Sequence, residues 1–255
     1  MLKLNKKIPK SSELMWILGT ITVALGVALC KQANLGVSMI AAPTFIIYEA
    51  VSPHAPWLSV GVTEYIVQGI LIALLCLIVQ RFSLKYLFAF IVAVIYGYML
   101  DFWLFVIGNP GNEIWLRWIL LLAGDISVAF GVACFFRTYL PLQAYELFVS
   151  EVSDRYDIGI AKAKWCFDAS CFLLSVILSL TLFKDVKEFE WNKIYMTSFH
   201  SIGLGTVITT VINAPIIAFF KKLLDATFDN SPLIPKFKEF FEKKSVLKSA
   251  KKNAE

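Results

Sequence analysis

Charge is scarce in this chain. Only 17% of its 255 residues are Asp, Glu, Lys or Arg, where soluble domains carry about 25%. A water-soluble globular protein is thereby excluded. Histidine is scarcer still: His54 and His200 are the only two, too few for a His-rich metal or haem centre. None of the five cysteines (Cys30, Cys76, Cys134, Cys166, Cys171) forms a C-x-x-C pair, which argues against a zinc site or a disulfide framework. They read as small apolar residues packed between helices. The Walker A, H-E-x-x-H and G-x-S-x-G motifs are all absent. We therefore expect no enzyme, no cofactor and no metal. The chain contains no ATPase domain, so any transport would be secondary, channel-like, or powered by a partner.

Apolar sequence is what remains. Hydrophobic residues make up 58% of the chain, and the mean hydropathy is +0.69. The runs are long enough to span a bilayer, which takes about 20 residues each. Six transmembrane helices are predicted, over Glu13–Ala33, Thr63–Gln80, Lys85–Ile107, Ile114–Phe136, Ala163–Phe183 and Ile194–Phe220. Gly108-Asn109-Pro110-Gly111 predicts a tight turn joining the third and fourth. A membrane domain over 13–220 is expected between a basic N-terminus (1–12) and a basic tail (221–255). No small-x-small site follows the first run. Val27-Ala28-Leu29-Cys30 is a poor lipobox because Leu29 is too large. A retained first span is expected.

The basic residues are unevenly placed. Nineteen of the 24 lie in residues 1–12, 81–85, 137–164 and 221–255, the segments on one side of the predicted spans. Positive-inside bias puts that side, with both termini, in the cytoplasm. The net charge of +5 is therefore a topology signal, and nucleic acid is not expected as a partner. The expected partner is the bilayer itself. In the tail, Phe237, Phe240, Phe241 and Leu247 would share a helical face on anionic lipid, or the tail is simply solvated.

Two stretches resemble each other. Residues 25–35, LGVALCKQANL, align with 130–140, FGVACFFRTYL, at an offset of 105. Each is followed by a segment too short to span that opens on a helix breaker, Gly36–Val51 and Pro141–Tyr156. This predicts two halves of three spans, about 13–107 and 114–220. Three is odd, so the second half would be inverted, a common transporter plan. For Gly36–Val51 two placements stand, re-entrant or interfacial. Pro141–Tyr156 carries more charge and is expected at the cytoplasmic interface.

Carboxylates at bilayer depth cost at least about 2.5–3.5 kcal/mol each. Three are expected there: Asp101, Asp125 and Asp168. Their helices carry small polar stripes: Asp125, Ala129, Ala133 and Arg137; Asp168, Cys171, Ser175 and Ser179; Ser201, Gly205, Thr209 and Asn213. Such stripes are either packing seams or the lining of a site. If there is a substrate or ion site, it is expected between the halves. Asp168 and Gln68 would line it at related places in spans five and two, with Asp125 and Asn213 nearby and Asp101 a further candidate. Arg137 is expected to snorkel to the cytoplasmic face. Glu49 and Glu64 are expected at the interface.

Several of these residues also carry a likeness. Gly26-Val27-Ala28-Leu29 with Leu35-Gly36, Tyr96-Gly97 with Asp101, Leu140-Pro141 with Glu146, and Lys164 with Phe167-Asp168 resemble the YczE/YitT-like group of bacterial multi-pass membrane proteins. The likeness covers about residues 15–220. The chain departs from that group where Leu142-Gln143-Ala144-Tyr145 stands between the Leu-Pro and Glu146, and where Gln68 replaces a usual Asn. The resemblance implies a bacterial inner-membrane protein and no particular reaction. The expectation is an all-α polytopic membrane protein. Its role would be that of a small-solute transporter or permease component or, alternatively, a non-transporting accessory to another protein complex.

Overall fold

The structure, a computed structural model, describes residues 12–111, 113–140, 143–183 and 197–228. The described residues form eight helices and no sheet. They are α1 (Ser12–Ala33), α2 (Ala42–Val51), α3 (Val60–Val79), α4 (Leu84–Ile107), α5 (Ile114–Phe135), α6 (Ala144–Tyr156), α7 (Ile160–Leu182) and α8 (Leu204–Thr227). Six of them, all but α2 and α6, are long and apolar enough to cross a membrane. Large apolar side chains such as Phe105, Phe82 and Leu77 are exposed on the outside of the bundle. That is inside-out by aqueous standards and normal where lipid is the solvent. The protein is an all-α, multi-pass membrane protein.

The centre is the antiparallel pair α1 and α5. Gly19 faces Gly131 and Gly26 faces Gly124, backbone against backbone. Small residues permit this approach, which is how helices gain contact in lipid without a hydrophobic drive. The other helices arrange themselves around this pair. α4 lies along α1, and α8 lies along α5. The short α6 lies against α3, and the short α2 lies against α7. Each short helix also touches its neighbour in sequence, α2 with α3 and α6 with α7. Two relations lack a counterpart. α6 also touches α4, whereas α2 has no comparable contact with α8 among the described residues. α3 packs along α4, with Gly61 on Gly97, whereas α7 and α8 have no comparable contact among the described residues.

Local signals explain the interruptions. Gly36 sits at φ 109°, a conformation that glycine adopts at little cost, and Pro43 occupies the first turn of α2. α3 ends on Gln80 and α6 on Asp157, both left-handed. The α3–α4 and α6–α7 turns are short as a result. The segment expected at the cytoplasmic interface, Pro141–Tyr156, contributes α6, which packs Ala144, Tyr145, Leu147, Val149 and Glu151 against its neighbours. Tyr86 of α4 donates to Glu151 at 3.1 Å and satisfies that charge. The sixth span differs from expectation. It begins at Leu204 rather than Ile194 and runs on to Thr227. His200 and Ser201 adopt positive φ (43° and 68°), and Phe199 and Ile202 bridge each other, so the chain cannot be helical there. Residues 194–196 lie outside the described residues, as do 1–11 and the tail from 229.

Polar ties close both ends. At the end carrying Ser12, the Arg137 guanidinium pairs with Asp225 and donates to the Phe228 carbonyl at 2.7 Å, and Tyr139 donates to Glu13 at 2.5 Å. Arg137 is thus a buried tie between α5 and α8 rather than a snorkelling cation. At the opposite end Lys31 pairs with Glu49, which also accepts from Ser201 at 2.9 Å and meets His200 at 3.1 Å. Glu49, outside the six spans, is therefore part of an ion pair rather than a free interfacial group. Burial pushes its carboxyl up, but the Lys31 charge and the hydrogen bonds from Lys31, Ser201 and His200 outweigh burial and hold it below the ordinary 4.5. A lowered folded value contributes stability above the unfolded value and loses it as pH falls through the folded one. Melting temperature should hold near neutrality and drop below about pH 4.5. Glu49→Gln should cost about 1 kcal/mol at pH 7 and flatten that acid limb. An unaltered acid limb in this variant would remove Glu49 from the account.

Candidate functional site

The first turn of α6 gathers several buried polar side chains. It sits between α3 and α7, and α2 reaches it from the opposite end. Glu64 and Gln68 stand at the fifth and ninth positions of α3, one turn apart on one face. Lys164 and Asp168 stand at the fifth and ninth positions of α7. Gln68 Nε2 donates to Glu64 Oε1 at 3.0 Å, and Tyr145 OH donates to the same oxygen at 2.9 Å. The Ala144 N–H donates to Gln68 Oε1 at 3.4 Å. Thr44, near the start of α2, meets Tyr145 OH at 3.4 Å. The N-terminal ends of the two short helices therefore meet at Tyr145. Each such end carries roughly half a positive charge.

The far side of the turn is more open. Lys164 Nζ donates to Asp168 Oδ1 at 3.4 Å, and both act electrostatically on Glu146. Tyr96 of α4 is buried within electrostatic reach of Glu64 and Glu146. Tyr145, Phe148 and Phe167 form an aromatic cluster, with Phe167 5.1 Å from Phe148 and 6.3 Å from Tyr145 between ring centres.

Three buried polar atoms here have no partner among the described residues: Glu64 Oε2, Glu146 Oε2 and Gln143 Nε2. Buried polar groups are ordinarily bonded, and each orphan costs about 1–3 kcal/mol. Three around one helical turn suit a place that receives a polar guest.

Gln68 and Asp168 thus both flank one turn of α6. Asp125 and Asn213 occupy a different seam, between α5 and α8, where Asn213 Nδ2 donates to Asp125 Oδ1 at 3.0 Å. Asp101 lies elsewhere again. It accepts from Ser59 Oγ at 2.5 Å and from the Gly61 N–H at 2.8 Å, and so fixes the start of α3 to α4. That geometry is structural. Asp101→Ala should cost about 1–3 kcal/mol of stability, read as a lower melting temperature, with ligand response unchanged in the folded fraction. Lost ligand response at full stability would return Asp101 to the site.

Glu64, Thr44, Tyr96, Tyr145 and Glu146 complete the arrangement, and sequence reasoning did not place them in it. Glu64, expected at the interface, is only 2% exposed. A signal for it existed: Glu64 stands 100 residues before Lys164, the same offset that pairs Gln68 with Asp168. Among the described residues no group of three or more His, Cys, Asp or Glu is placed to hold a metal ion.

Residues 10–222 match a family of unknown function, DUF6198. No curated protein matches the chain, and no solved structure does.

Proposed function

We propose that this chain, which belongs to the DUF6198 family of unknown function, is a small-solute transporter of the bacterial inner membrane. One observation carries the reading. Two interrupted segments fold back between long helices, and their N-terminal ends meet at a buried cluster that leaves three polar atoms unpaired among the described residues. Irregular backbone at membrane depth is tolerated where it is buried in protein or lines a wet cavity. Paired broken helices at the junction of two repeats are the usual site of secondary transporters.

A 3+3 inverted repeat belongs to the same reading, and part of the helix packing agrees with it. With α1–α4 set against α5–α8, the α1–α4 pairing answers to α5–α8, α3–α6 to α7–α2, and α2–α3 to α6–α7. The offset of 105 carries the contact Gly19–Gly131 onto Gly124–Gly26, which is the other glycine contact. The ties at the two ends then act as alternate closures. Releasing Arg137 from Asp225 would open one side, and releasing Lys31 from Glu49 would open the other. The charge of the loops supports a cytoplasmic Arg137 end, and the resemblance to YczE/YitT-like proteins supports a bacterial host.

The test is the melting of purified full-length protein across a panel of small metabolites. A transporter should be stabilised by one chemical class, by RT ln(1 + [L]/Kd) for a ligand that binds only the folded state. Flat curves with every class would favour the accessory role instead. Orientation is checked by single cysteines in a cysteine-free background. An impermeant maleimide should label Asn112→Cys from outside intact cells and leave Asn253→Cys unlabelled.

A further inference from the structure

We infer that the first turn of α6 binds one monovalent cation at Glu64 Oε2, either the ammonium group of a solute or an alkali ion. The inference takes its site from the transport reading and adds the charge of the guest.

Glu64 is buried and accepts from Gln68 and Tyr145 on one oxygen, with the Thr44 hydroxyl also acting on its carboxyl. The other oxygen, Oε2, has no hydrogen-bond partner among the described residues. No lysine or arginine among the described residues pairs with Glu64. Lys164 is committed to Asp168 and acts on Glu146. Taking a carboxylate out of water costs several kcal/mol unless a partner compensates. Among the described residues Lys164 acts on Glu146 and Asp168, and no basic side chain acts on Glu64. The two helix ends, of α2 and α6, return about half a charge each. With all three carboxylates ionised, the shortfall is about one positive charge.

The donor set argues against a divalent ion. A hard divalent cation gathers six or more oxygens, usually with several carboxylates, and no such group exists among the described residues. Glu64 Oε2 with the neighbouring Thr44 and Tyr145 hydroxyls offers one formal negative charge, which suits a single positive one. The cluster of Tyr145, Phe148 and Phe167 adds ring faces, which attract ammonium groups. The unpaired Gln143 Nε2 is a donor, so a solute carrying an acceptor oxygen beside its ammonium group would satisfy it as well.

Purified full-length protein is melted in matched ionic strengths of N-methyl-D-glucamine, sodium, potassium and methylammonium chlorides. Saturable stabilisation over N-methyl-D-glucamine is expected from at least one of the other three. A response to methylammonium alone assigns the charge to a solute, whereas a response to sodium or potassium assigns it to a free ion. Glu64→Gln should abolish the response, and Glu64→Asp should shift its midpoint at least tenfold. If Glu64→Gln does not fold, Tyr145→Phe removes one donor to Glu64 and must move the midpoint. Equal melting in all four salts, an intact response in Glu64→Gln, or an unmoved midpoint in Tyr145→Phe overturns the inference. A cation response with no stabilising metabolite would sink the transport reading and leave this site standing. A stabilising metabolite with no cation response would do the reverse.

Discussion

Gly124→Leu is expected to remove nearly all folded protein. Even a methyl carbon at this position would stand 2.6 Å from Cys30 Sγ and 2.7 Å from the Gly26 carbonyl. The reciprocal contact is tighter, since a Cβ on Gly26 would meet the Gly124 carbonyl at 2.5 Å. A carbonyl of a packed helix has nowhere to go, so α1 and α5 must part. These two helices are the most buried of the six spans, and α4 and α8 are packed on them. The separation therefore propagates to the whole bundle. The loss should exceed about 4 kcal/mol, seen as a collapsed monodisperse peak in detergent and a sharp drop in membrane-extracted yield. Gly159→Ala is the control. A Cβ there meets nothing within 4 Å, and yield should be unchanged. A Gly124→Leu protein of normal yield and melting would mean that the two helices are not in backbone contact.

Asp168→Asn should have the opposite profile, with little change in stability and a large loss of function. The side chain keeps its size and can still accept a hydrogen bond. Its partner Lys164 is half exposed, and such i,i+4 pairs contribute only about 0.3–0.5 kcal/mol. What disappears is a negative charge beside the first turn of α6. Once a stabilising metabolite is known, its midpoint should shift at least tenfold in this variant. Asp125→Asn should move that midpoint far less, because Asp125 is paired with Asn213 in another seam. If Asp168→Asn and Asp125→Asn together leave both ligand response and melting untouched, these carboxylates have no part in the site.

The contrast between Asp101 and Glu64 explains how much of the site the sequence disclosed. Both are acids close to a helix end, and hydropathy ranks Asp101 as the more deeply placed. In the folded chain Asp101 holds the start of α3, because Ser59 and Gly61, 40 or so residues earlier, present a hydroxyl and a free N–H to it. Glu64 is drawn inside by Tyr145, a residue 81 positions away in a segment whose charge suggested an interface. Apolar runs disclosed the long helices because a bilayer selects on length and composition alone. They could not disclose the short ones, whose burial depends on partners rather than on hydropathy. The start of α8 was missed for a local reason. Residues 194–203 mix apolar and polar side chains, and the backbone turns left-handed at His200 and Ser201.

The exchange of short helices between the halves also bears on biogenesis. Synthesis delivers α3 well before α6. Until α6 arrives, Glu64 and Gln68 have only each other, and the flank of α3 that α6 will cover faces lipid or translocation machinery. A first half released into the bilayer at that stage would carry an unsatisfied carboxylate in hydrocarbon. Gln68 gains the Ala144 amide, and Glu64 the Tyr145 hydroxyl, only once the later segment has been made. In the same way α7 has little to lean on except α2 and α6, so it docks onto a surface that the first half has already prepared. Assembly of this protein is ordered by which half lacks its plug, and an interruption between the halves would strand the first one.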